Sequence, residues 1–149
     1  MQKFIGGIGC FWGETEYENI PGITFTECGY CGGKSPNVSY KEVCDGDTEH
    51  VEVVKVKFDP KIITYEEIIR LFFKFHDPTT LNRQGTNTGY QYRSEIFYKN
   101  DEEKKIAEKV LNEVNQKLNG KVVTKISKEK NYCKAEEYHQ KYFQKKSLI

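Results

Sequence analysis

One helix constrains the fold of this chain more than any other segment. Thr64-Tyr65-Glu66-Glu67 holds the residues of a capping box, and the turns after it carry Ile68, Ile69, Leu71, Phe72, Phe73 and Phe75. A helix apolar on most of its faces must be deeply buried. Strand patterns on either side can cover it. Phe4-Ile5-Gly6-Gly7-Ile8-Gly9 reads as a short buried strand, and Ile23-Thr24-Phe25-Thr26-Glu27 alternates apolar and polar. Val51 to Phe58 is a second clear strand, closed by Asp59-Pro60. Ser94 to Tyr98 reads as another, and Lys121 to Ile126 as the last. Between those two, Ile106, Val110, Leu111, Val114 and Leu118 share one helical face, ended by Asn119-Gly120. A short helix over Ala135 to Tyr142 closes the pattern. This order predicts an α+β fold, an antiparallel-rich sheet with helices on one face, in a single domain over residues 1–149. Gly29 to Asp47 and His76 to Tyr92 read as long ordered loops, which in compact domains usually carry function.

The chemistry is concentrated at Cys10. Glu14 to Ile20 reads as a helix stopped by Pro21-Gly22, so Cys10 falls at a strand-to-helix junction in Gly9-Cys10-Phe11-Trp12-Gly13. A thiol at a helix start faces unpaired N–H groups and the positive end of the macrodipole. Both favour the thiolate and should bring the pKa below the ordinary value of about 8.5. Phe11 and Trp12 beside that sulfur can form an apolar wall that accepts a methyl or thioether. The competing reading, an inert cysteine packed against core aromatics, is weakened by the strand–Cys–helix placement.

Glu52 is the second unusual residue. Val54, Val56 and Phe58 share its parity on the strand, while Lys55 and Lys57 take the other face. A carboxyl on the apolar side of a strand is costly unless paired or protonated, and burial raises its pKa. An edge position with access to solvent or a lysine is the alternative. His50, His76 and His139 fall in unrelated segments without metal-ligand spacing and read as loop anchors.

Composition excludes several functions. The formal net charge is +1, so neither a nucleic-acid surface nor an acidic tail is implied. No apolar run reaches membrane length. The five cysteines, odd in number and irregularly spaced, do not form a secreted disulfide framework. If the chain begins at its native start, it carries no leader, and a cytoplasmic location is expected. Cys28-Gly29-Tyr30-Cys31 leaves a redox dithiol open as a rival, although Gly32, Gly33 and Pro36 cannot promptly start the helix that motif needs. Cys28, Cys31, Cys44 and His50 as a structural zinc site is a second rival.

A resemblance joins these pieces. Gly9-Cys10-Phe11-Trp12-Gly13 is similar to the signature of the peptide methionine sulfoxide reductase A family. The likeness continues through Gly29-Tyr30-Cys31-Gly32-Gly33, Tyr40-Lys41-Glu42-Val43-Cys44-Asp45-Gly46 and His50-Val51-Glu52. It runs on through Phe58-Asp59-Pro60, His76-Asp77-Pro78-Thr79-Thr80, Asn82-Arg83-Gln84-Gly85 and Gly89-Tyr90-Gln91-Tyr92-Arg93-Ser94, to Ala135-Glu136-Glu137-Tyr138-His139-Gln140. The blocks are collinear and span most of the chain.

The resemblance implies a ferredoxin-like split βαβ two-layer plait with long functional loops and an added C-terminal helix. It implies reduction of methionine S-sulfoxide, free or in peptides, with Cys10 as nucleophile and Glu52 as the acid that protonates the departing oxygen. Tyr40 and Tyr92 match tyrosines that donate hydrogen bonds to that oxygen. Asn87 stands where the family usually carries Asp, so the position can still hydrogen-bond substrate but cannot titrate. Sulfenic acid on Cys10 would condense with a second thiol. Many family members keep that thiol in a glycine-rich tail, whereas this sequence ends Lys145-Lys146-Ser147-Leu148-Ile149. Cys133, in a mobile-looking C-terminal segment, is the first candidate, and Cys31, beside Gly32-Gly33, the second. Thioredoxin or a small dithiol is the implied reductant. No metal or organic cofactor is required, no nucleic-acid or membrane partner is implied, and a monomer is expected.

Overall fold

The computed structural model describes residues 2–7, 13–33, 50–81, 83–84, 87–88 and 92–134. The elements, in chain order, are β1 (Gln2–Gly7), α1 (Gly13–Glu18), β2 (Ile23–Cys31), β3 (Val51–Phe58), α2 (Tyr65–Phe75), β4 (Arg83–Gln84), β5 (Asn87–Thr88), β6 (Glu95–Tyr98), α3 (Asp101–Lys117), β7 (Lys125–Lys128) and β8 (Cys133–Lys134). The fold is α+β. Six strands form one sheet in the order β7-β6-β1-β3-β2-β8. Its pairings are antiparallel except β6 with β7, which run parallel because the α3 crossover joins them. Strands β1 and β2 flank β3 and therefore point the same way, with α1 between them in sequence. Likewise β3 and β6 flank β1, with α2 between them.

The buried helix read from the sequence is α2. Thr64 Oγ1 accepts from Glu67 N–H at 3.1 Å, and Glu67 Oε1 accepts from Thr64 N–H at 3.3 Å, so both halves of the capping box form. Ile68, Ile69, Phe72 and Phe73 enter one core with Tyr17 of α1, Ala107 and Val110 of α3, and Phe4, Val54, Val56, Phe58 and Ile96 of the sheet. The described helices thus pack on a single face. Gly6 lets α2 approach closely, since a Cβ there would lie 2.9 Å from Phe72 Cδ2 and 2.6 Å from Phe4 Cζ. On the other face, Ile5, Cys31, Val51, Val53 and Phe97 form a smaller cluster with Tyr132 against it.

Several boundaries differ from the sequence reading. β2 does not end at Glu27 but continues through Cys31, which pairs with Val51, so Gly29, Tyr30 and Cys31 are strand and not loop. The last strand pairing with β6 runs Lys125–Lys128 instead of Lys121 to Ile126. The donors ahead of it are diverted: Val122 N–H to Asn115 Oδ1 at 3.0 Å and Val123 N–H to Pro78 O at 2.8 Å. Cys133 is in β8, opposite Tyr30, where a mobile segment was expected. A two-stranded ribbon, β4 with β5, lies within the stretch read as a loop after His76. α1 is described from Gly13, and the helix expected over Ala135 to Tyr142 lies outside the described residues.

His76 ties three parts of this frame together. Its Nδ1–H donates to Phe72 O at 2.6 Å, leaving Nε2 to accept from Ser94 Oγ–H at 2.7 Å, while Thr124 Oγ1–H donates to Ser94 Oγ at 2.7 Å. This chain of donors requires a neutral imidazole, and burial pushes the His76 pKa down to about 4 from 6.5. The unfolded chain binds the proton first as pH falls, so stability from neutral His76 is lost between about 6.5 and about 4. In chemical denaturation at a series of pH values, the stability difference between wild type and His76→Gln should shrink by about 1.4 kcal/mol per pH unit across that window. A difference independent of pH would contradict the network.

Candidate active site

Glu52 sits on β3, paired on both sides, and only 3% of its surface is exposed. The edge alternative is excluded. Its face is the one the helices cover, shared with Val54, Val56 and Phe58. Tyr30, fully buried, is its neighbour in β2. Among the described residues no cation forms an ion pair with Glu52. Burial alone pushes its carboxyl up to about 8 from an ordinary 4.5. At neutral pH it is therefore mostly protonated, a carboxylic acid able to donate.

The ends of three strands meet around this acid. Gly7, the last described residue before Cys10, is so tightly placed that a Cβ would lie 3.1 Å from Arg93 O and 3.4 Å from Glu52 O. Tyr92, half-buried, immediately precedes Arg93. The strand that leads toward Cys10, the strand that carries Glu52 and the segment that carries Tyr92 thus converge at one end of the sheet. Cys10, Phe11, Trp12 and Tyr40 lie outside the described residues, and Asn87 is placed only by its backbone, opposite Gln84 in the ribbon.

Strand parity separates the other sulfurs. Cys28 pairs with Val54 and Cys31 with Val51, so the two lie on opposite faces. That geometry overturns both the dithiol and the zinc readings, which need the pair side by side. Cys31 lies on the face away from Glu52, its Sγ–H donating to Lys130 O at 3.4 Å. Burial, the largest influence, pushes its thiol up to about 11 from 9.0. These features disfavour Cys31 as a resolving thiol. Cys133 occupies the other face's register, in one cross-strand row with Tyr30 and Glu52.

Two features escaped the sequence reading. Arg93 Nε and Glu95 Oε1 form a buried ion pair at 2.7 Å at the same sheet end. Tyr30 flanks the acid, and its parity with Cys28 would have revealed it had the strand been extended. The anchoring reading holds for His76 and for His50, whose Nε2–H donates to Asn131 O at 3.3 Å, while His139 lies outside the described residues. Because Glu52 stays protonated in the folded chain up to about 8, its ionisation opposes folding as pH rises through the window from 4.5 to about 8. Glu52→Gln should therefore gain stability over wild type across that window in denaturation experiments. A gap that does not change with pH would place the carboxyl in water.

The sequence model for peptide methionine sulfoxide reductase matches residues 2–148. A peptide methionine sulfoxide reductase MsrA of Pelagibacter ubique is 58% identical over 147 residues, covering 98% of this chain and all of the relative. The crystal structure of Mxr1 from Saccharomyces cerevisiae in reduced form superposes with a TM-score of 0.92 at 40% identity, over 99% of this chain and 87% of that one. Mxr1 in complex with Trx2 gives a TM-score of 0.68 at 29% identity, over 91% and 81% of the respective chains. With likeness along nearly its whole length in sequence and fold, the chain belongs to the peptide methionine sulfoxide reductase family.

Proposed function

We propose that this protein is an enzyme that reduces methionine S-sulfoxide, free or in peptides, through thiol chemistry, as one reductase domain over residues 1–149. Family membership sets the reaction, and the observation that carries the mechanism is Glu52, a carboxyl held protonated where a proton donor is needed. The Cys10 thiolate attacks the sulfoxide sulfur while Glu52 gives its proton to the oxygen, since an unprotonated oxide is a very poor leaving group. Tyr40 and Tyr92 donate hydrogen bonds to the same oxygen, stabilising the charge that builds there. Phe11 and Trp12 receive the methyl group, and Asn87 hydrogen-bonds substrate. Oxygen ends on Cys10 as sulfenic acid and methionine departs. Cys133 then attacks that sulfur, the S–O bond breaks as water leaves, and a disulfide forms. Thioredoxin or a small dithiol reduces the disulfide, a reading supported by the Mxr1 complex with Trx2. This sequence of steps calls for no metal or organic cofactor.

The interleaved strand order β6-β1-β3-β2 supports reading the sheet as a ferredoxin-like split βαβ plait, with long functional loops and a C-terminal helix over 135–142. Unpaired thiol chemistry of this kind fits a reducing compartment such as the cytoplasm, and the enzyme acts as a monomer.

Cys10→Ser should abolish turnover of a sulfoxide-containing peptide with dithiol as reductant, and retained activity would remove the nucleophile. Glu52→Gln should lower kcat by about 10²–10⁴-fold with little change in KM. In wild type, kcat/KM should fall above about 8, as Glu52 loses its proton, and that limb should vanish in Glu52→Gln. Substrate added without reductant, followed by disulfide mapping, should join Cys10 to Cys133.

A further inference from the structure

Strand β8, Cys133–Lys134, is paired at the sheet edge with Tyr30 and Gly29. Fixing each backbone there costs more than the hydrogen bond it gains, so these two pairs need help from neighbouring contacts to hold their register. What precedes β8 is, in contrast, tied down at every residue. Glu129 N–H donates to Tyr98 O at 2.8 Å, and Lys3 Nζ bonds its carboxylate at 3.0 Å. Lys130 O accepts from Gly32 N–H at 2.7 Å and from Cys31 Sγ–H at 3.4 Å. Asn131 adopts the left-handed conformation, φ 51°, and its Nδ2–H donates to Gly33 O at 2.8 Å. Tyr132 Oη–H donates to Glu27 Oε1 at 2.5 Å, with Lys55 Nζ 4.8 Å above its ring.

These contacts form a strap across the sheet face opposite the described helices. It runs from the end of β7 to the end of β2, and the left-handed turn at Asn131 redirects it into β8. We infer that Asn131 and Tyr132 are positioning residues for the second chemical step: through the strap they set the register of β8, and so keep Cys133 in the row that contains Glu52. The inference rests on the proposed role of Cys133 as resolving thiol. Glu52 and Cys133 are then two strand spacings apart, about 10 Å between backbones. With Cys10 beside Glu52, as the proposed mechanism has it, a thiol tethered in that row reacts as an intramolecular partner, whereas a loose segment would sample many other positions. The buried Cys31 becomes part of the clamp instead of a reactant.

The step balances without further reagents. Sulfenic acid on Cys10 and the thiol of Cys133 give a disulfide and one water, the hydroxyl leaving from Cys10 with the Cys133 proton. The strap changes only how often the two sulfurs meet. Its loss should therefore spare sulfoxide reduction and slow disulfide closure.

The test is a single turnover: reduced full-length protein is mixed with a methionine sulfoxide peptide and no reductant. Methionine release, Cys10–Cys133 disulfide and sulfenic acid trapped by dimedone are followed in time. Asn131→Ala should release methionine at the wild-type rate but close the disulfide about tenfold more slowly, the effect of one lost hydrogen bond, with sulfenic acid accumulating. Asn131→Gly keeps the left-handed backbone without the amide clamp, and Tyr132→Phe removes only the bond to Glu27; both should share the defect. Disulfide closure at the wild-type rate in all three variants would overturn the inference, as would equal slowing of methionine release and closure. Wild type that releases methionine yet never joins Cys10 to Cys133 would instead overturn the assignment of Cys133, and the inference with it.

Discussion

A carboxyl group with no ion-pair partner among the described residues, set on the helix-covered face of an interior strand, is the constraint around which the rest of this molecule is organised. An ionised Glu52 would have to leave water with nothing to replace it, so the folded chain holds it as the acid, with its pKa near 8. That state exists only while β3 is paired on both sides and the helices cover its face. The protonated state is thus a product of the whole sheet and the helices packed on it. Glu95, at the same sheet end, illustrates the alternative: it is equally buried but has the Arg93 guanidinium 2.7 Å away. One carboxylate is matched by a cation; the other has no such match among the described residues and is held as the acid by burial.

The two sheet faces divide the labour. The helix side carries the large aromatic core, with Phe4, Phe72 and Tyr17 in edge and tilted contacts, and holds Glu52 dry. Among the described residues, the opposite side has a small apolar cluster, crossed by the 129–132 strap. Hydrogen bonds do there what aromatic burial does on the first face. This division lets a C-terminal segment be positioned by polar contacts that are individually weak, leaving the core that protonates Glu52 independent of it.

Much of this was legible in the sequence where one physical rule acted alone. The parity of Val54, Val56 and Phe58 placed Glu52 on the apolar face, and the Thr64–Glu67 pairing fixed the start of α2. Reading failed where long-range pairing overrode local composition. Gly29, Gly32 and Gly33 look like loop residues, yet Gly29, Tyr30 and Cys31 are strand because β3 lies beside them. β8 has no pattern of its own in the sequence and shows itself only through its pairing with β2. Cys10, with Phe11 and Trp12 beside it, was legible from its place at a strand-to-helix junction, whereas Tyr40, Tyr92 and Asn87 came through resemblance, since no periodicity marks a loop residue as a ligand.

The same parity rule sorts the thiols. In a helix, Cys28 and Cys31 would stand on one face, one turn apart, as a redox motif requires. In a strand, an odd spacing sends them to opposite faces, so an identical four-residue string loses its chemistry. Register then does for β8 what parity does within β2. Because Cys133 pairs with Tyr30, and Tyr30 with Glu52, all three share a row; a slip of one residue would move Cys133 to the row of Cys31 and the far face. The environments of Cys28 and Cys31 are therefore decided less by the residues beside them in sequence than by which side of one sheet the pairing assigns them to.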